Sequence, residues 1–139
     1  MRIVFDTNVV ISALLWRGAP YQLFQKVRQQ ANLHIYSSVV LLEELSGVLS
    51  RPALAKQLSA IGWQAADVLR DYTCAVEIIE AAPLVHPICR DADDDHVLAL
   101  ALAAQADLIV SGDQDLLVLE RFEGIAITTA RQALEQLGV

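Results

Sequence analysis

The chain has 139 residues, 55% of them hydrophobic and only 19% charged, with a formal net charge of −7. That balance fits one domain, residues 1–139, with a sizeable core, and it is far from the composition of a disordered chain. Lysine occurs only at Lys26 and Lys56, which argues against broad attraction to a phosphate backbone and points to a cation site where a metal supplies the positive charge.

The chain opens with a short buried strand, "RIVFD" (2–6). Residues 12–30 break at Gly18-Ala19-Pro20 and resume as an amphipathic helix, and "LHIYS" (33–37) is a second strand. Ser37 or Ser38 can cap the helix at 39–51, after which Pro52 ends it or starts another. Residues 62–75 read as helical. A third strand falls within 75–88, ahead of two prolines that forbid regular structure. An acidic loop then leads into a helix at about 94–106, followed by a fourth strand "DLIVSGD" (107–113). Residues 114–122 read as a short helix, 124–128 as a fifth strand and 130–138 as a closing helix. The strands are apolar without period-2 alternation and alternate with helices. A three-layer α/β/α sandwich with a mainly parallel, about five-stranded sheet is therefore expected.

No secretory-leader pattern stands at the start. The longest apolar run, Val97–Ala104, is about half a membrane span. A soluble, cytoplasmic protein is expected. Cys74 and Cys89 have neither metal-ligand spacing nor the look of a disulfide framework.

Open parallel sheets bind ligands at the carboxyl ends of their strands. Asp6 ends the first strand, Asp113 follows the fourth with Asp115 close behind, and Asp91, Asp93, Asp94 and Asp95 precede the helix before it. A helix start tolerates acids, so that run also reads as a solvated cap. Asp6 is harder to place as a bystander, because a carboxylate at the edge of a buried strand needs a partner. On the helix 39–51 the apolar face is formed by Leu41, Leu42, Leu45, Val48 and Leu49. Glu43 points away from it and is expected in solvent, whereas Glu44 lies on its flank, where it either borders a cleft or is an ordinary surface acid. Counted as a calcium loop from Asp91, the run fails where glycine and glutamate are required, at His96 and Leu102. His34, His86 and His96 are too scattered for zinc, so hard oxygen donors favour Mg²⁺ or Mn²⁺. Phosphate-loop, dinucleotide and serine-hydrolase signatures are absent.

Four blocks, "VFDTNVVISAL" (4–14), "LLEELSGVLSRP" (41–52), "DADDDHVLALALAAQADLIVSGDQDLL" (91–117) and "GIAITTARQAL" (124–134), resemble in order and spacing the PIN-domain family of metal-dependent ribonucleases, many of them toxins of toxin–antitoxin pairs. The resemblance implies that Asp6, Glu44, Asp94 and Asp113 are catalytic and hold Mg²⁺ or Mn²⁺, with Asp115 as a helper and Asn8 and Ser111 as supporting polar groups. Because Asp93, Asp94 and Asp95 are consecutive, the third acid is open by one position, and the fourth is divided between Asp113 and Asp115. The resemblance further implies an RNA substrate with 5′-phosphate and 3′-hydroxyl products, a cognate antitoxin seated in the acidic cleft, and a homodimer. Trp16, Tyr21 and Phe24 are candidates for that interface or for the core. Arg17, Arg51, Arg90 and Arg121 are candidate phosphate contacts or ordinary surface arginines. The competing reading is a catalytically silent PIN-like module that binds RNA or protein. A phosphoryl-receiver domain would want a lysine after its last strand, and a haloacid-dehalogenase-like phosphatase would want DxD where this chain has Asp6-Thr7-Asn8.

Overall fold

The computed structural model describes residues 1–138. Along the chain run β1 (Arg2–Phe5), α1 (Thr7–Leu15), α2 (Ala19–Gln29), β2 (His34–Ser37), α3 (Val39–Leu49), α4 (Pro52–Ala60), α5 (Ala65–Ala75), β3 (Glu77–Ile78), α6 (Ala92–Ala104), β4 (Leu108–Val110), α7 (Gln114–Leu117), β5 (Arg121–Phe122), β6 (Ile125–Thr128) and α8 (Ala130–Gln136). The sheet order is β3-β2-β1-β4-β6-β5, and every pairing is parallel except that of β5 with β6.

Strand chemistry explains the layering. Side chains of a strand alternate between faces. Ile3 and Phe5 of β1, with Leu108 and Val110 of β4, enter a cluster with Val9, Leu23 and Leu134 of the helices on one face. Val4 and Ile109 enter a second cluster with Val97, Leu98 and Leu100 of α6 on the other. Both faces are covered, so the strands need no polar alternation.

The chain places β2 on one side of β1 and β4 on the other. The strand order therefore reverses beside β1, and a crevice opens above the carboxyl ends of β1 and β4, the usual ligand position in open α/β sheets.

Three local readings need correction. The sheet has six strands rather than about five, because the segment 114–122, expected as one helix, is helical only through Leu117 and then supplies β5. The left-handed backbone at Glu120 (φ 60°) turns the chain back. Glu123 (φ 50°) and Gly124 (φ 81°) form the two-residue loop between Phe122 and Ile125, both with the positive φ that a type I′ hairpin turn requires. The third strand shrinks to Glu77–Ile78 at the sheet edge. The expected helix at 62–75 begins only at Ala65, because Gly62 (φ 79°) and Trp63 terminate α4. Pro52 starts that helix, where its missing N–H costs nothing. No helix among the described residues is long and apolar enough to cross a membrane.

Candidate active site at the carboxyl edge of the sheet

Asp6 leaves β1 and becomes the N-cap of α1, yet its side chain makes no capping bond. It turns toward β4, where Oδ2 accepts a 2.8 Å hydrogen bond from Ser111 Oγ. Its backbone N–H donates to the Val110 carbonyl at 2.9 Å, which fixes it between the two central strands. Ser111 is fully buried, and its hydroxyl also accepts from the Asp113 N–H at 2.9 Å. Asp113 in turn caps α7, Oδ1 accepting from the Asp115 N–H at 2.8 Å. One hydroxyl thus couples the acid after β1 to the acid after β4.

The four aspartates before α6 have four separate fates. Asp91 is the N-cap and accepts from the Asp93 N–H at 2.9 Å. Asp93 is exposed, 3.8 Å from His96 Nδ1. Asp95 anchors the incoming loop, accepting from the backbone N–H of Ile88 and of Cys89. Asp94 points inward and is only 5% exposed. It is the member of the run that joins Asp6 and Asp113, and one carboxylate oxygen from each of the three lies within 4.8 Å of the others.

Glu44 flanks this trio. Leu41, Leu45 and Leu49 bury one stripe of α3, Glu43 faces solvent, and Glu44 is half-buried, with Oε2 unpartnered. Thr7, behind Asp6, favours its charged form. Nothing in the sequence marked Thr7 beyond its place next to Asp6. Asp115 stands apart from the trio, because its Oδ1 is held at 2.7 Å by Arg90 Nη2. Asn8 is exposed and lines a depression of about 250 Å³ together with Ser111 and Asp113. Arg51 stands at the N-cap position of α4 and Arg121 lies on β5.

Burial and mutual repulsion oppose ionisation here. Desolvation, then the charges of Asp113 and Asp6, lift Asp94 to about 7. Desolvation, then Asp93, lifts Glu44 to about 7. Desolvation also raises Asp6, although its bond from Ser111 pulls the other way. No lysine or arginine within ion-pair distance of Asp6, Glu44, Asp94 or Asp113 relieves this among the described residues. Asp94 Oδ2 and Glu44 Oε2 are buried with no hydrogen-bond partner. Leaving such oxygens unsatisfied is costly, and a cation bound there would satisfy them. An all-oxygen donor set of this kind fits a hard divalent ion.

A PIN-domain family model matches residues 2–115, a span that contains every acid just described. The chain belongs to the PIN-domain family. Among solved structures, this PIN-domain chain is similar in fold to a chain of VapBC2 from Rickettsia felis bound to a DNA fragment from their promoter. The TM-score is 0.61 at 16% identity, covering 91% of this chain and 97% of that one. At that identity the likeness is one of fold. No curated protein matches the chain in sequence.

Proposed function

We propose that this PIN-domain chain is a metal-dependent endoribonuclease, the toxin of a toxin–antitoxin pair, which hydrolyses RNA phosphodiester bonds with Mg²⁺ or Mn²⁺. The observation that carries this reading is the convergence of Asp6, Asp94 and Asp113 at the β1/β4 crevice, where Asp94 Oδ2 and the neighbouring Glu44 Oε2 are buried without a protein partner.

Asp6, Asp94 and Asp113 would hold the ion, with Glu44 beside them. The chemistry such an ion supplies when bound is Lewis acidity toward the phosphoryl oxygens and a lowered pKa of water. The chain's own groups do the positioning. Ser111 sets the Asp6 carboxylate and the Asp113 backbone in register. The amino ends of α1 and α6 face the crevice and favour negative charge there. Glu44 Oε2 has no competing donor, which supports a role for it in accepting a proton from an attacking water. An antitoxin partner would seat a basic side chain among these acids. The likeness in fold to a chain of VapBC2 supports that partnership. A homodimer is part of the same proposal.

The test is cleavage of labelled RNA by the purified chain with Mn²⁺, with Mg²⁺ and with chelator, followed by sequencing of the ends. Metal-dependent cuts leaving 5′-phosphates, lost in Asp6→Asn, are expected. Intact RNA under all three conditions would leave the silent RNA- or protein-binding module as the better account.

A further inference from the structure

Both tryptophans of the chain, Trp16 and Trp63, line one groove of about 540 Å³ on the helical face over α1 and α2. Neither is a core residue, at 50% and 45% exposure, and Ile61 beside them is also exposed. Phe24, by contrast, is buried, and its ring meets Tyr72 at 5.9 Å. Of the aromatic candidates for an interface, Phe24 therefore belongs to the core.

The backbone that carries each exposed ring is held in place. Trp16 is the C-cap of α1, its N–H bonded to the Ser12 carbonyl. Trp63 follows the left-handed Gly62, and its N–H reaches back to the Leu58 carbonyl at 2.9 Å while that of Gly62 bonds Ser59. This is a Schellman termination of α4, and it fixes the backbone that presents the indole. The same groove carries positive charge, from Arg17 and Arg28. The Arg17 guanidinium sits 4.4 Å over the Tyr21 ring and makes no ion pair among the described residues. Arg28 stacks 5.2 Å from Phe24, with Asp71 3.5 Å from its Nη1.

The groove and the depression at Asp113 are lined by successive residues of α1 and α2. The depression at Asp113 is lined by Ser12 and Pro20, and the groove by their neighbours Ala13 and Tyr21. The nine residues of α1 separate Asp6 from Trp16. At 1.5 Å per residue that is about 14 Å, roughly four stacked nucleotides.

We propose that this groove is an accessory subsite for single-stranded RNA, where bases stack on Trp16 and Trp63 and Arg17 meets a phosphate. Flat aromatic faces with a guanidinium beside them are the recurring equipment for unpaired nucleic acid. In a chain of net charge −7, this is where exposed rings and an unpaired cation coincide. The choice of RNA as occupant rests on the ribonuclease reading. The subsite holds the strand flanking the cut while the acids act on the phosphate at the crevice.

Because the two tryptophans both lie in the groove, their emission reports on it alone. The full chain, in chelator so that no cleavage intervenes, is titrated with a single-stranded RNA ten-mer. Saturable quenching that weakens with salt is expected. Arg17→Ala and Trp16→Ala weaken the apparent affinity about tenfold, and Trp16→Phe restores most of it because a ring remains. Melting curves confirm that each variant is folded. Unchanged emission in the parent chain overturns the subsite, as does quenching indifferent to Arg17→Ala. An emission shift that follows protein concentration alone, with no response to RNA, also overturns it and makes the groove an interface between copies. Cleavage with Mn²⁺ but no quenching defeats the subsite and spares the nuclease. Quenching without cleavage does the reverse.

Discussion

Ser111 donates from Oγ to Asp6 Oδ2 at 2.8 Å across 105 positions of sequence, and the same oxygen accepts from the Asp113 N–H. The hydroxyl is fully buried, so no water can replace it without rearrangement. Ser111→Ala removes both bonds at once. It should cost about 1–3 kcal/mol of stability and lower nuclease activity as well, whereas Ser111→Thr retains the hydroxyl and most of both. Denaturant melts and single-turnover cleavage measure the two effects. A Ser111→Ala protein equal to the parent in both would mean that the hydroxyl positions nothing.

The crowded carboxylates set a pH dependence for the ion-free chain. Asp94 and Glu44 titrate near 7 when folded, against ordinary values of 3.8 and 4.5. Between those limits the folded state holds more protons than the unfolded state, so stability falls as pH rises. Their favourable contribution is complete below about pH 4 and is lost as pH rises through about 7. Ion-free Tm should therefore climb as pH drops from 8 to 5. Asp94→Asn should flatten that slope. A falling Tm over that interval would contradict the assignment.

Metal addition should have the opposite sign. Mn²⁺ binds the ionised carboxylates of the folded chain, so it raises Tm most at pH 8, where those groups are charged and repelling. At 100 times the dissociation constant, the gain is about 2.7 kcal/mol. Thermal melts at pH 8 and pH 5 with graded Mn²⁺ provide the comparison; equal shifts at both would place the binding elsewhere.

Asp6→Asn keeps an oxygen for Ser111 but removes a charge from the trio. The ion-free variant should melt at or above the parent temperature while losing at least about a hundredfold in cleavage rate. Stability and activity moving in opposite directions is the signature of a site that the fold tolerates rather than needs.

Asp113 and Asp115 stand two residues apart but in different surroundings. Asp113 meets Asp6 and Asp94, whereas Asp115 is engaged by the exposed Arg90. Asp113→Asn should therefore lower activity at least about tenfold more than Asp115→Asn. Parallel kinetics on the two variants, with Tm as the control, give the ratio. Equal losses would restore Asp115 as a partner in the site.

Much of this protein was legible in its residues. The alternation of short apolar strands with helices is a statement about which segments need burying, and it dictated the layered α/β/α architecture. The helix period put Glu43 in solvent and Glu44 on the flank of the apolar face, because 100° per residue is a property of local backbone geometry, but left open whether Glu44 borders a cleft or the surface. The hairpin at Glu123-Gly124 was missed because an apolar run of four to eight residues does not distinguish a helix from a strand.

What the chain could not decide by itself was which of several adjacent acids meet. Asp91, Asp93, Asp94 and Asp95 carry the same carboxyl group, and only the direction of each around the first turn of α6 separates cap, solvent, crevice and loop anchor. Asp113 and Asp115 were likewise equivalent until Arg90 engaged one of them. Local pattern fixes which face of an element is buried. Convergence of residues about a hundred positions apart depends on the strand order that sets β1 beside β4, and that order is settled by packing of the whole sheet against both helical layers.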